Sequence, residues 1–157
     1  MNEHPSVTRV KEAANAAGLH IDIITYSKPV KTAQAAAEEV GCTAAQIANS
    51  LIFEGVASGE LISLLTSGGH RVDLDKAAGQ IGETLQRAKP DRIKAETGFV
   101  IGGVAPFGHL NPIRSYIDEH LFTFPAIWAA GGIAETVFQT TAEDLMRATG
   151  AQKFIAN

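Results

Sequence analysis

The feature of this sequence that most limits its fold is a series of short helices, each bracketed by a capping residue and a glycine. One segment starts after Thr32 and stops at Gly41, and another starts after Thr141 and stops at Gly150. A threonine hydroxyl satisfies a free N–H at the start of a helix, and glycine adopts the left-handed conformation that ends one. A further helix is expected to begin at Ser6. These signals fix the positions of three helices along the chain.

Short apolar strands lie between the helices. The hydrophobic pattern predicts strands at residues 21–25, 50–53, 60–66, 99–101, 113–117, 126–128 and 135–139. The second and third are expected to form a hairpin, because glycines separate them. Helices and strands follow one another without the strict alternation of a parallel βαβ protein. The sequence therefore predicts a mixed α/β fold, a mixed sheet surrounded by helices, in one domain over residues 1–157.

Composition places the chain among globular proteins of a reducing compartment. Its 157 residues are 45% hydrophobic and 19% charged, which argues against disorder. Cys42 is the one cysteine, so no intrachain disulfide can form. The first residues do not resemble a secretory leader, and no apolar run approaches the roughly 20 residues of a membrane span. We expect a cytoplasmic protein that does not enter a membrane.

The charge balance does not indicate a dedicated nucleic-acid binder. Thirteen basic and seventeen acidic side chains give a net charge of −4, so contact with RNA must rely on a local patch. The densest basic patch comprises Arg87, Lys89, Arg92 and Lys94. A solvated helix face is the simpler explanation of these four residues, and RNA binding is the alternative hypothesis.

Several common chemistries lack their motifs. The five histidines are scattered without metal-binding spacing, and there is no Cys-x-x-Cys pair, so no metal site is predicted. There is no Gly-x-Ser-x-Gly elbow for a serine hydrolase and no phosphate loop ending in Gly-Lys-Ser/Thr. We therefore expect a protein that uses neither a metal nor a cofactor.

The segment richest in chemical possibilities is the glycine loop, residues 97–109. Gly102 and Gly103 let a ligand approach the backbone closely, and Pro106 stiffens the loop. The remaining N–H groups could converge on a carbonyl oxygen as it gains negative charge. A tight structural turn accounts for the same residues. His109 directly follows and is a candidate polar contact or proton carrier.

Two other segments place polar side chains beside apolar strands. Asp73 follows a pair of glycines, where it is either a plain helix cap or part of a site. Asn49 and Ser50 enter an apolar strand, where they either bond to local backbone or face a ligand. The residues alone leave both alternatives open.

These segments occur in a characteristic order. They lie at residues 32–33, 46–53, 69–74, 98–108, 116–118, 128–131 and 143–145. In order and spacing they resemble the YbaK-type family, the editing domains associated with prolyl-tRNA synthetase, over about residues 20–150. The Gly-Gly-x-x-Pro-Phe-Gly stretch is the most specific part. The resemblance implies a curved mixed sheet and hydrolysis of the ester between a wrong amino acid, commonly alanine or cysteine, and proline tRNA, without a metal or a covalent nucleophile.

The resemblance also implies roles for individual residues. The glycine loop would position the ester carbonyl for attack by water, with Gly103, Gly108 and His109 as catalytic residues. The substrate-binding residues would be Asn49, Ser50, Pro106, Phe107, Asp73 and Gly131. The partner would be mischarged tRNA, with contact at the basic patch, and prolyl-tRNA synthetase is a second candidate partner. The sequence is compatible with a monomer or a homodimer.

One position departs from the family pattern. The family usually has a lysine just before the Ser-Leu strand, and Asn49 stands there in this chain. An amide keeps the capacity to hydrogen-bond but loses the positive charge. Two functions therefore stay open, a trans-editing aminoacyl-tRNA deacylase and a non-catalytic module that binds a tRNA end or a synthetase.

Overall fold

A computed structural model describes residues 3–30 and 32–157, and within them one mixed sheet of eight strands carries the fold. The strands are β1 (Ile23–Thr25), β2 (Ile47–Gly55), β3 (Leu61–Ser67), β4 (Leu85–Arg87), β5 (Arg114–Asp118), β6 (Ile127–Ala130), β7 (Thr136–Thr140) and β8 (Gln152–Phe154). The α-helices are α1 (Pro5–Ala16), α2 (Ala33–Val40), α3 (Leu74–Ile81), α4 (Pro90–Thr97) and α5 (Ala142–Thr149). Short 3₁₀ turns lie at Ala44–Gln46 and Glu119–Thr123.

The sheet combines parallel and antiparallel pairs. Its strand order is β1-β7-β6-β2-β3-β5-β8, and β4 also pairs with β2. The parallel pairs are β2 with β6, β3 with β5, and β5 with β8. The pairs β1–β7, β2–β3, β2–β4 and β6–β7 are antiparallel. The predicted mixed α/β fold is therefore confirmed.

The helix caps behave as the sequence predicts at most positions. Thr32 and Thr141 each accept the backbone N–H three residues further on, at 3.0 and 3.1 Å. Gly41 and Gly150 end the same helices with φ values of 77° and 69°. These caps satisfy groups that a helix cannot pair internally, which is why a local sequence signal locates them.

The cap of α1 differs from the prediction. His4, rather than Ser6, is the N-cap, and its Nδ1 accepts the Ser6 N–H at 3.0 Å. Pro5 occupies the first turn, where its fixed φ favours the helix and its missing N–H costs nothing. The Ser6 hydroxyl is instead buried and lies 3.5 Å from the Gly98 carbonyl oxygen.

The strand predicted at residues 99–101 is wrong, because these residues form an irregular loop. Phe99 is buried, but Val100 and Ile101 are 62% and 57% exposed. The sequence also gave no signal for β4 and β8, each of which has three residues. A three-residue strand is too short to show an alternating pattern, so its pairing depends on the rest of the sheet.

The hydrophobic core surrounds the centre of the sheet. All seven residues of β3 are buried, because β2 and β5 flank it and other elements cover both of its faces. The largest buried cluster joins β2, β3 and β5 to α1, α5 and the glycine loop. This core holds the glycine loop against the sheet beside β2. No helix in the described part of the chain is long and apolar enough to cross a membrane.

Candidate functional site

The edge of β2 that faces away from β3 is only partly paired. This edge contacts β6 through Ile47 and Ala48, and it contacts β4 through residues 53–55. Among the described residues, 49–52 have no strand partner on that side, although β3 pairs with them on the other. An interior strand thus exposes about four residues of its edge at a gap between two neighbouring strands. Such unpaired backbone groups need hydrogen-bond partners from water or a ligand.

A cavity of about 510 Å³ opens at this gap. Residues 47–53 of β2, from both faces of the strand, line its floor. Its walls come from α2 and the segment before it, the ends of β4 and β6, the start of β7, and the glycine loop. The wall residues are Val30, Thr32, Ala33, Ala36, Arg87, Ala88, Ile93, Ile101, Gly102, Val104, Ala129, Ala130, Thr136 and Val137. The size falls in the range of small-molecule sites, about 300–1,000 Å³.

The cavity is mostly apolar, with a few polar groups on β2. Asn49 and Ser50 both line it, as the sequence predicts for substrate-facing residues. The Ser50 Oγ is buried, and no residue within 3–30 and 32–157 hydrogen-bonds it. Buried polar atoms are rarely left unpaired in proteins, so this hydroxyl is an exception in the strand, and its burial separates it from the open part of the cavity. Within residues 3–30 and 32–157, Arg87 is the one charged side chain of the lining, and the lining holds no carboxylate.

The glycine loop reaches the cavity through Ile101, Gly102 and Val104. Gly102 has a φ of 101°, a conformation that only glycine adopts without strain. Gly103 differs from its predicted role, since it does not line the cavity and its N–H donates to the Val100 carbonyl at 2.9 Å. A side chain at Gly103 would collide with the backbone of residues 133–134, at 2.7 Å. The structure therefore places Gly102, rather than Gly103, at the cavity wall.

The rest of the predicted loop site lies behind the cavity. Pro106, Phe107, Gly108 and His109 are absent from the described lining. Phe107 is buried, and its ring packs 5.6 Å from that of Phe138. Gly108 packs against the backbone of α1, where a side chain would approach to 3.2 Å. These residues shape the loop from its inner side, where their close packing explains the Pro-Phe-Gly sequence.

His109 braces the loop from the same side. Its Nε2 lies 2.9 Å from the Ala105 carbonyl oxygen, and its ring packs edge-on against Phe99 at 5.9 Å. Burial lowers the pKa of His109, and the nearby positive charge of Arg9 lowers it further against the opposing hydrogen bond to Ala105. The imidazole is therefore held neutral as a donor to the loop backbone. His109 thus lies away from the cavity lining, whereas its predicted role as a proton carrier requires contact with the substrate.

Asp73 and Gly131 also lie outside the described lining. Asp73 is the N-cap of α3, and its carboxylate accepts the Lys76 N–H at 3.1 Å. The structure therefore shows Asp73 as a plain helix cap. Gly131 donates its N–H to the Thr136 carbonyl at 3.2 Å, and a side chain there would meet the Thr136 Oγ1 at 2.8 Å. Gly131 thus allows close packing next to the cavity wall.

The four predicted tRNA contacts divide into two kinds. Arg87 is exposed at the end of β4 and lines the cavity, and Lys89 and Lys94 are exposed nearby on α4. Arg92 instead forms ion pairs with Glu54 and Glu96. Its charge is therefore already compensated, which leaves three of the four cations available to a phosphate.

Arg9 is a loop-holding residue that the sequence did not reveal. From α1 its guanidinium donates to the Gly98 carbonyl at 2.9 Å and to the Gly108 carbonyl at 3.3 Å. It also lies 4.8 Å from the centre of the Phe99 ring. One side chain thus ties together both ends of the glycine loop. A lone arginine on a helix has no local signal that would predict contacts about 90 residues away.

Replacing Arg9 with alanine should lower the free energy of unfolding by about 2 kcal/mol, because a charged donor contributes about 1.5–3 kcal/mol per hydrogen bond and the site is partly exposed. Urea denaturation measures this loss. The control is Arg147→Ala, which removes an exposed ion pair with Asp144 and should cost under about 1 kcal/mol. Equal losses in both variants would show that Arg9 does not hold the loop.

The fold and cavity define a mixed α/β protein with a ligand-sized opening at a gap in its sheet. The chain belongs to the aminoacyl-tRNA editing domain family, whose model matches residues 27–148. This match confirms the family indicated by the order of the sequence segments.

Similar proteins span nearly the whole chain. A crystal structure described as a proposed trans-editing enzyme for prolyl tRNA synthetase shares 39% identity, with a TM-score of 0.91 and 98% of each chain covered. The crystal structure of hypothetical protein APE2540 shares 25% identity at a TM-score of 0.85, covering 92% of this chain and 96% of that one. The uncharacterized protein YwhH of Bacillus subtilis (strain 168) is 28% identical over 124 residues, 79% of this chain and 78% of YwhH.

Proposed function

We propose that the protein is a trans-editing deacylase that hydrolyses the ester of a mischarged tRNA in the cytoplasm. The observation that carries this proposal is the cavity at the open edge of β2, in a chain of the aminoacyl-tRNA editing family. Its apolar walls suit an amino-acid side chain, while the strand edge and the Gly102 loop offer backbone groups to an ester. A water molecule attacks the carbonyl carbon, and the ribose oxygen leaves with a proton.

The substrate is proposed to be a small amino acid, alanine or cysteine, on proline tRNA. A volume of about 510 Å³ exceeds the space that such a side chain needs, so part of the terminal nucleoside would enter with it. Small apolar side chains differ by only about 1–3 kcal/mol in a pocket of this kind. Contacts with the tRNA must therefore supply much of the selectivity, in agreement with a relative described by its link to prolyl-tRNA synthetase.

A deacylation assay over a panel of mischarged tRNAs tests the proposal. The wild-type protein should hydrolyse alanyl- or cysteinyl-tRNA for proline far faster than correctly charged prolyl-tRNA. Tight binding of every tRNA without hydrolysis of any ester would instead support the non-catalytic binding module.

Asn49 should contribute directly to turnover, since it lines the cavity at the unpaired edge of β2. Replacing Asn49 with alanine should lower kcat/KM about 2- to 12-fold, the value of one hydrogen bond of about 0.5–1.5 kcal/mol. Asn15→Ala, on the exposed face of α1, is the matched control and should leave kcat/KM unchanged. Full activity in Asn49→Ala would exclude this contact, and a gain of activity only in Asn49→Lys would mark the wild-type chain as a binder.

The basic patch makes a separate prediction about tRNA affinity. Replacing Arg87 with glutamine should flatten the salt dependence by about 0.7 log units of affinity per decade of salt, because one phosphate contact to a single strand is lost. Arg92→Gln should leave the slope unchanged, since Glu54 and Glu96 already compensate that charge. Filter binding between 50 and about 200 mM salt measures both slopes. A larger change in the Arg92 variant would place the tRNA on another face.

A further inference from the structure

His109 is a buried titratable side chain that does not line the cavity. Its Nε2 lies 2.9 Å from the Ala105 carbonyl oxygen. A carbonyl oxygen can only accept a hydrogen bond, so the Nε2 must carry the proton of the neutral ring. The Nδ1 is then the atom at which the ring takes up a second proton. One imidazole therefore combines a hydrogen bond to the glycine loop with a position that titrates.

Arg9 is the charged side chain that acts on this imidazole. From α1 it donates to the Gly108 carbonyl at 3.3 Å and lies 4.8 Å from the centre of the Phe99 ring. The His109 ring packs against the same phenyl ring, at 5.9 Å between centres. In the described part of the chain, no carboxylate contributes to the pKa of His109. A second proton on the ring would thus place a positive charge near Arg9 without a negative charge to balance it.

Arg9 and His109 together form a clasp on the glycine loop. Arg9 binds the carbonyl groups of Gly98 and Gly108 at the two ends of the loop. His109 binds the carbonyl group of Ala105, which is fully buried and lies three residues after Gly102. The clasp therefore fixes the backbone on both sides of Gly102, the loop glycine at the cavity wall.

We propose that His109 is a positioning residue of the glycine loop, and that a second proton on its imidazole opens the clasp and stops deacylation. This inference rests on the proposed function and adds a residue that acts through Gly102 without touching the substrate. The neutral ring and the Arg9 guanidinium can share the Phe99 ring, because only one of them is charged. A charged ring repels Arg9 inside the protein, where such repulsion is poorly screened. The loop backbone at Gly102 then loses its fixed place.

The direction of the pH dependence follows from the surroundings of the ring. Burial lowers the pKa of His109 below its ordinary value, and the charge of Arg9 lowers it further against the hydrogen bond to Ala105. The folded protein therefore favours the neutral ring, and the clasp should be intact above about pH 6.5, the ordinary histidine pKa. As the pH falls through the lowered pKa of the folded protein, the ring takes up its proton and the clasp opens.

The pH profile of single-turnover deacylation tests the proposal with His109→Gln, which keeps a neutral N–H donor and cannot take up a proton. At saturating protein, this variant should match the wild-type rate near neutral pH. It should be about 10-fold faster than wild type one pH unit below the wild-type midpoint, where about nine in ten His109 rings are charged. The ratio of the two rates removes the pH dependence of the ester itself.

His20→Gln is the matched control, because His20 is exposed. It should keep the wild-type loss of rate in acid. Circular dichroism at each pH confirms that the proteins compared are folded. Identical pH profiles for wild type and His109→Gln would overturn the proposal, and so would an equal gain in acid from His20→Gln.

An NMR titration separates this inference from the proposed function, because it requires no turnover. The Gly102 amide signal should shift along the same pH curve as the His109 ring, and it should not follow that curve in His109→Gln. In Arg9→Met the pKa of His109 should rise, since the repelling charge is gone. A Gly102 signal that does not follow the His109 titration would overturn the clasp and leave the deacylase intact. A shared titration in a protein that hydrolyses no mischarged tRNA would overturn the deacylase and leave the clasp standing.

Discussion

Replacing Gly102 with valine should reduce deacylation about 10²- to 10³-fold, the usual loss when a carbonyl oxygen no longer reaches one stabilising donor. Gly102 lines the cavity and has a φ of 101°. A branched side chain there disfavours the loop conformation and occupies the path by which an ester reaches the backbone. Single-turnover hydrolysis of alanyl-tRNA for proline measures the change.

The control must carry the same backbone strain away from the cavity. Gly18 has a φ of 75°, and a side chain there would meet no atom within 4 Å. Gly18→Val should therefore lose a similar amount of stability and keep its turnover. Gly103→Val is less informative, because its side chain would collide with the Ile133 backbone and disturb the loop as a whole. Unchanged turnover in a folded Gly102→Val protein would exclude this loop from carbonyl binding.

Local signals predicted the parts of the fold that depend on local chemistry. Thr32, Asp73 and Thr141 cap helices as expected, because each side chain pairs with an N–H three residues away. The β2–β3 hairpin is also confirmed, since two short apolar runs separated by glycines specify it. The order and spacing of the sequence segments were sufficient to indicate the editing family before any contact was known.

The site depends on relations that no local pattern contains. The gap beside Ser50 exists because β6 and β4 stop at different points along β2, and that register is set by the whole sheet. Arg9 contacts the glycine loop although it lies 89 and 99 residues before the two carbonyl groups that it binds. The apolar run of β2 was visible in the sequence, but it did not show which edge of the strand lacks a neighbour.

The wrong strand at residues 99–101 has a related cause. Val100 and Ile101 are apolar, and apolar neighbours after a helix usually indicate a buried strand. Here they are exposed, and Ile101 borders the cavity. Exposed apolar residues beside a binding site are a common departure from the burial rule. The error therefore falls at the rim of the cavity, where apolar side chains lie outside the core.

Replacing Asp118 with alanine should lower the free energy of unfolding by about 2–4 kcal/mol, because a buried donor left without an acceptor costs about 1–3 kcal/mol and Asp118 accepts from two backbone N–H groups. Asp118 is 1% exposed at the end of β5. Its carboxylate accepts the Ser67 N–H at 3.0 Å and the His120 N–H at 3.0 Å, and it lies 2.7 Å from the His70 Nε2. Alanine leaves these donors without their acceptor.

The loss should spread to the cavity, because Asp118 fixes the turn that follows β3. Gly68 in that turn packs so closely on Ala33 that an added side chain would approach to 2.4 Å, and Ala33 lines the cavity. Urea denaturation measures stability, and single-turnover deacylation by the folded protein measures the cavity. Asp22→Ala, at an exposed position, is the control and should change stability by less than about 0.5 kcal/mol. A similarly small change in Asp118→Ala would show that the turn is held by the packing of Gly68 alone, since the backbone there would keep its place without the carboxylate.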